Sequence, residues 1–182
     1  MRIVSGRYKG RRLELPKNFK ARPTTDFAKE NLFNILSNSI DWEDVKALDL
    51  FGGTGSISFE LVSRGCPQVT CVEKFAPNYS FIEKTQKLLE ANELRIFKMD
   101  VFKFLDISKD QFDFIFADPP YDLPFLKEVP KLIFEKNLLK PGGVFVMEHS
   151  KSDDFSSAPL FKEKRVYGSV NFSIFEKEES VE

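Results

Sequence analysis

The sequence predicts an α/β fold: a doubly wound, Rossmann-like, mostly parallel sheet with an antiparallel C-terminal hairpin. Three observations carry this. From Val45 onward, short apolar runs alternate with segments of helical spacing. The terminal stretch LFKEKRVYGSVNFSIFEK instead reads as two consecutive strands joined at Tyr167-Gly168-Ser169. Acids at Asp49, Glu73, Asp100 and Asp118 mark successive strand ends, on the rim where such sheets bind ligands. A chain of 182 residues, 42% hydrophobic and 30% charged, suits one globular domain.

The elements follow in order. RIVSGRY and RRLEL read as a short hairpin around Lys9-Gly10. Pro23 biases Arg22 away from helix, and Thr24, Thr25 or Asp26 can cap the helix that follows. Phe27, Leu32, Phe33, Leu36 and Ile40 fall near helical spacing on one side of it. VKALDLF, QVTCVE, LRIFKMD, FDFIFAD and the end of LKPGGVFVMEHS are strands. Between them lie helices over GSISFELVSRG, over APNYSFIEKTQKLLEAN with Phe81, Leu88 and Leu89 inward, over VFKFLDIS, and over LPFLKEVPKLIFEKN with a bend at Pro130. Residues 1–24 form a basic arm, 25–176 the main domain and 177–182 an acidic tail.

Composition narrows the chemistry. No apolar run approaches the roughly 18 to 20 residues needed to cross a membrane, and the N-terminus has no apolar signal core, so the expected location is cytoplasmic. Cys66 and Cys71 lack metal-ligand spacing and read as reduced packing residues. His149 is the sole histidine, which speaks against a multi-histidine metal site and a Ser-His-Asp triad; it reads as a strand-end residue. Nearly all of the twenty phenylalanines read as core. Net charge is −1, yet residues 1–22 hold Arg2, Arg7, Lys9, Arg11, Arg12, Lys17, Lys20 and Arg22 against Glu14 alone. That is +7 in the arm, leaving −8 elsewhere. A basic arm on an acidic body suggests a polyanionic partner.

LDLFGGTGS joins a strand to a helix through Gly52, Gly53 and Gly55, which permit close backbone approach to a ligand. Ser58 stands where a dinucleotide fingerprint would carry its third glycine. Asp49 would sit badly beside a pyrophosphate but well beside an ammonium or a sulfonium, and S-adenosylmethionine has both. Glu73, 18 residues beyond Gly55, can accept from both ribose hydroxyls. Asp100, or the amide of Val101, can read an adenine edge. Each acid alone is an ordinary strand end; spaced over three strands, they describe an adenosine pocket.

The fourth segment is Asp118-Pro119-Pro120-Tyr121. An exocyclic amine on a planar base is a poor nucleophile because its lone pair is delocalised. The Asp118 carboxylate and the Pro119 carbonyl can accept its N–H bonds, favouring a more tetrahedral nitrogen and stabilising the positive charge that develops. The prolines bring no competing N–H and stiffen the backbone. Tyr121 offers a face for stacking.

These residues resemble the class I S-adenosylmethionine-dependent methyltransferases that act on amines. MRIVSGRYKGRRL, RPTTDFAKENLFNIL, LDLFGGTG, VEK and ADPPY extend the likeness to the RsmD-type 16S rRNA guanine-N2 methyltransferases, from Met1 to about Lys177. The resemblance implies S-adenosylmethionine as methyl donor and S-adenosylhomocysteine as product. It implies cofactor contacts at Thr25, Asp49, Phe51, Gly53, Thr54, Gly55, Glu73, Lys74, Asp100 and Val101. It implies catalytic roles for Asp118, Pro119 and Tyr121 on a flipped-out guanine, with the segment from Arg22 to Asp26 closing the site. Arg2, Arg7, Lys9, Arg11, Arg12 and Arg22 are the expected RNA contacts, and a monomer acting on 16S rRNA within a small subunit is the expected assembly. Gly52-Gly53 departs from the Ala-Gly common in relatives, and the acidic body leaves the docking surface open.

Other readings use the same motifs: methylation of DNA adenine N6 or protein glutamine N5, or a non-catalytic RNA-binding assembly module. The chain leaves little room for a DNA target-recognition insertion. Glutamine enzymes usually carry Asn at the Asp118 position and a larger N-terminal helical domain. A non-catalytic module predicts decay of cofactor positions, which are all filled.

Overall fold

A computed structural model describes residues 1–17, 19 and 24–179. The seven strands are β1 (Lys46–Leu50), β2 (Gln68–Glu73), β3 (Leu94–Lys98), β4 (Phe112–Ala117), β5 (Leu139–His149), β6 (Phe161–Tyr167) and β7 (Val170–Glu176). They form one sheet in the order β3-β2-β1-β4-β5-β7-β6. β3 through β5 are parallel, and β7 pairs antiparallel with both β5 and β6. The doubly wound sheet and its terminal hairpin are those the sequence predicts.

Helices α1 (Asp26–Leu36), α2 (Ser56–Ser63) and α3 (Ala76–Leu89) cover one face, and α4 (Val101–Ile107) and α5 (Glu128–Glu135) the other. Alternating strand residues feed the two layers. Phe116, Val146 and Phe172 pack under α1 and α2, whereas Ile115, Phe145 and Phe175 pack under α4 and α5. Burial on both faces makes the central strands read as continuous apolar runs. The order reverses between β1 and β4, so their carboxyl ends open the crevice where ligands of such sheets bind.

Several local expectations need correction. In α1 the inward face is Ala28, Lys29, Leu32, Phe33 and Leu36. Phe27 is 63% exposed and meets Tyr167 edge-on, while Ile40 lies beyond the helix. In α3 the buried residues are Ile82, Thr85 and Leu89. Leu88 is 67% exposed, because adjacent helical residues cannot share one face. Phe27, Phe75 and Phe125 are phenylalanines outside the core, each more than half exposed. Residues 124–127 are turns, and α5 begins at Glu128. Pro130 therefore lies in the first turn, where a missing N–H costs nothing, and bends no helix.

The arm forms less of a hairpin than predicted. One antiparallel bridge joins Arg2 to Arg12, flanked by bonds from Ile3 N to Arg11 O (3.0 Å) and Leu13 N to Met1 O (2.9 Å). The next amides turn toward α2. Val4 and Ser5 donate to the Glu60 carboxylate at 2.9 and 3.0 Å, and Arg7 N donates to Ser63 O at 2.8 Å. Gly6 permits this docking: its φ is +80°, and a Cβ there would lie 1.7 Å from Ser63 O.

Glu60 and Lys29 are both fully buried and ion-paired at 3.3 Å. Lys29 Nζ also donates to Arg2 O (2.6 Å) and Ser56 Oγ (3.0 Å). Glu60 further accepts from Arg64 Nε at 3.0 Å. Burial lowers the Lys29 pKa while the charge of Glu60 opposes the shift. Removing one charge strands the other. Glu60→Gln should therefore cost about 3–5 kcal/mol of stability, read from urea unfolding; a loss below about 1 kcal/mol would refute the assignment.

Candidate active site

Five strand ends converge on the carboxyl rim. Asp49 belongs to the end of β1 and is 2% exposed. Its Oδ2 accepts from Ser58 N (3.1 Å) and Ser58 Oγ (2.6 Å) at the start of α2. Burial pushes its pKa up to about 7, against the Ser58 bonds and with a further push from Glu73. A buried acid of this kind favours a cation beside it.

The loop after β1 is held in left-handed backbone at Phe51 (φ 61°), Gly53 (φ 57°) and Gly55 (φ 75°). The non-glycine Phe51 marks strain of the sort found at functional sites. Gly52 is set by packing: a Cβ there would lie 2.3 Å from Cys71 Sγ. Thr54 is buried and accepts from Ser56 N at 3.3 Å.

Glu73, at the end of β2, accepts from Gly53 N and Phe75 N, both at 2.7 Å. It therefore fixes the glycine loop and keeps a further lone pair on each oxygen. Asp100 caps α4 by accepting from Phe102 N (2.9 Å) and pairs with Lys74 Nζ at 3.1 Å. Partial burial opposes its charge, but Lys74 and the helix amides outweigh burial and lower its pKa. Its carboxylate is already engaged, so the Val101 amide at the first position of α4 is the better group to read an adenine edge. Thr25 caps α1, its Oγ1 accepting from Ala28 N at 3.1 Å.

Asp118 follows β4, and its amide donates to Leu50 O at 3.4 Å. Ala117 pairs with Met147 in the parallel register, which sets Asp118 beside Glu148 at the end of β5. Glu148 is 5% exposed. It accepts from Thr24 Oγ1 (2.7 Å) on one oxygen and from the Tyr121 hydroxyl (3.3 Å) on the other. Burial raises both carboxyls, and for Asp118 the charges of Glu148 and Asp49 add to it. Burial, with Glu148 and Asp118 nearby, pushes Tyr121 up to about 12, so it stays a phenol. The residue is 53% exposed. Pro119 is buried and Pro120 exposed.

Glu148 and Thr24 were absent from the candidate residues. The strand-end rule that singled out the other four acids applies equally to VFVMEHS, where it would have found Glu148. The sequence offers Thr24 as a cap and as part of the segment from Arg22 to Asp26 that closes the site, with no sign of its bond to Glu148.

The arm is unevenly available. Arg7 pairs with Glu93 at 2.8 Å, and Arg2 lies 3.7 Å from Asp26 and 3.6 Å from Glu30. Lys9, Arg11 and Arg12 are exposed. Arg22 lies outside the described residues. His149 is buried between Ser150 O and Ser173 Oγ, both at 2.8 Å, and Cys66 and Cys71 are free and buried. All three pack as the sequence reading expected.

The family model described as Conserved hypothetical protein 95 matches residues 1–176. The chain belongs to this family. It is 29% identical over 182 residues to ribosomal RNA small subunit methyltransferase D of Escherichia coli strain K12, across 98% of this chain and 90% of that protein. It is 30% identical over 184 residues to the putative rRNA methyltransferase YlbH of Bacillus subtilis, across 97% and 99%. The solved structure of the putative methyltransferase yhhF from Escherichia coli superposes with a TM-score of 0.85 at 26% identity, covering 99% of both chains. The fold is that of the class I methyltransferases.

The Asp49 carboxyl has a direct consequence for stability. Its folded pKa of about 7 lies above the ordinary value of 3.8, so the folded chain binds more protons between those limits. Stability from this group is present at low pH and is lost as pH rises toward 7. Asp49→Asn removes that titration. The stability of the variant relative to the parent should rise from pH 5 to 7, by at most about 1.4 kcal/mol per pH unit, measured on ligand-free protein by urea unfolding. A pH-independent difference would refute the assignment.

Proposed function

We propose that this chain transfers the methyl group of S-adenosylmethionine to the exocyclic N2 amine of a guanine in small-subunit 16S rRNA. The observation that carries this reading is the placement of Asp118-Pro119-Pro120-Tyr121 on one rim with the Asp49 and glycine-loop cradle. Membership of the family supports the coarser statement: an S-adenosylmethionine-dependent rRNA methyltransferase. The chemistry of the Asp118 segment supports a planar exocyclic amine as acceptor; the guanine and its N2 position rest on the resemblance to the RsmD-type guanine-N2 methyltransferases.

The residues present fit S-adenosylmethionine. Gly53 and Gly55 hold the left-handed backbone that turns the loop at the rim, Gly55 also because a Cβ would lie 2.8 Å from the Phe59 ring, and the buried Asp49 favours the cationic half of the molecule. Glu73 would hold the ribose and Val101 the adenine, with Phe51, Thr54, Lys74 and Thr25 bordering them. When bound, S-adenosylmethionine supplies an electrophilic sulfonium methyl group. The chain does the rest by positioning. Asp118 and the Pro119 carbonyl accept the N–H bonds of the target amine and aim its lone pair. Tyr121 stacks on the base. As the new bond forms, the carboxylate of Asp118 stabilises the positive nitrogen and takes the proton that it sheds.

For the RNA itself, Lys9, Arg11 and Arg12 are the arm residues that remain to meet phosphates, because Arg2 and Arg7 face acids of their own chain. The substrate is 16S rRNA within a small subunit, met by a cytoplasmic monomer. A non-catalytic module is the contrasting reading, and thermal stabilisation by S-adenosylhomocysteine separates the two. No shift would favour the module.

Asp118→Ala should bind S-adenosylhomocysteine as the parent does while its methyl transfer falls by about 10²–10³; full activity would sink the mechanism. Replacing Lys9, Arg11 and Arg12 with glutamine should flatten the dependence of log K on log salt by about 2 to 3, measured by filter binding to small-subunit rRNA. An unchanged slope would remove the arm from the interface.

A further inference from the structure

Glu148 has no part in the amine clamp, yet its position is tightly set. It is the penultimate residue of β5, beside Asp118, is 5% exposed, and is held by Thr24 on one oxygen and Tyr121 on the other. Thr24 at 2.7 Å and Tyr121 at 3.3 Å fix the direction of the carboxylate but occupy only one lone pair per oxygen. The rim thus presents two neighbouring carboxylates, one of them aligned by hydroxyls.

We propose that Glu148 reads the N1–H of the target base and so selects guanine. This rests on the guanine-N2 reading above. Guanine alone among the four common RNA bases offers two adjacent donors, N1–H and the N2 amine. Two carboxylates side by side match that edge, with Asp118 on the amine and Glu148 on N1–H. Adenine sets its N6 amine beside N1, and cytosine its N4 amine beside N3. Both ring nitrogens carry a lone pair that would face the Glu148 carboxylate. A buried acceptor placed against a lone pair gains no hydrogen bond and loses its solvation, which is how polar sites reject near-isosteres. The raised pKa values agree: without a ligand the pair favours holding a proton, and the guanine donors take that proton's place.

A second function for Glu148, anchoring Thr24 and Tyr121, is separable. In Glu148→Gln the side-chain carbonyl can still accept from either hydroxyl, while the amide NH2 can donate to a ring nitrogen. The discriminating substrate is an rRNA fragment carrying 2,6-diaminopurine at the mapped target position. This base keeps the 2-amine but replaces N1–H with a lone pair.

The parent should methylate the guanine fragment with a kcat/KM at least about 100-fold above that of the diaminopurine fragment. In Glu148→Gln that ratio should fall to within about 5-fold, with an unchanged Kd for S-adenosylhomocysteine. Should that variant fail to fold, Thr24→Val keeps both carboxylates but frees Glu148, and its ratio should narrow as well. An unchanged ratio in the variant would overturn the proposal while leaving the guanine-N2 reading intact. Recovery of some product other than N2-methylguanosine from the parent would overturn that reading, and the role of Glu148 with it.

Discussion

The buried pair of Lys29 and Glu60 holds the arm to the body, and the site depends on it. Two charges with no exposed surface are costly to desolvate, and such a pair persists only when its remaining hydrogen bonds are met. Here they are: Glu60 accepts from Val4, Ser5, Lys29 and Arg64, two donors on each oxygen. Lys29 spends its other bonds on Arg2 O and Ser56 Oγ. The arm, α1 and α2 are therefore set as one unit. Thr24 stands just before α1 and donates to Glu148 near the end of β5. A mainly structural charge pair thus fixes a hydroxyl that touches the rim.

The rim gathers acids that a soluble protein would ordinarily spread apart, and their environments sort them. Glu73 is satisfied by two amides, Asp49 by Ser58, and Asp100 by the amides of α4 and by Lys74. These three shape the loop and the helix starts around the cradle. Glu148 meets only hydroxyls among the described residues, and its neighbour Asp118 is raised well above its usual range by burial first and by Glu148 next. The acids that cap and brace are the stable part of the site. Asp118 and Glu148 hold the acceptor capacity that suits a donor-rich ligand.

The architecture was legible because each strand of the parallel sheet is a short apolar run ending in a turn. Helix faces were less so. Leu88 and Leu89 look equivalent in sequence, and only the 100° step between them decides which is buried. LPFLKEVPKLIFEKN reads as one helix, but Pro130 fits better in a first turn than in a bend, so residues 124–127 turn instead. Lys29 was invisible as a core residue, because a lysine in a helix ordinarily lies on the solvent side. Its partner Glu60 is remote in sequence, and only tertiary packing brings the two together. Glu148 was readable by the rule that picked out Asp118, whereas its alignment by Thr24 depends on a contact spanning most of the chain.

The charge layout also constrains how an RNA can meet this protein. An acidic rim repels phosphate, so a nucleotide cannot approach the crevice backbone first. A base turned out of its stack can, because its edge is neutral and the Asp118 and Glu148 acceptors favour N–H donors. The exposed Lys9, Arg11 and Arg12 meanwhile offer cations to phosphates at the arm. Under the proposed function, that division would keep backbone affinity on the arm and base identity on the rim. It also accounts for a near-neutral net charge in a chain proposed to act on RNA. The same acidity that would weaken general binding to a polyanion is what an amine-accepting site needs, and the net positive charge that offsets it lies in the arm held in place by Glu60.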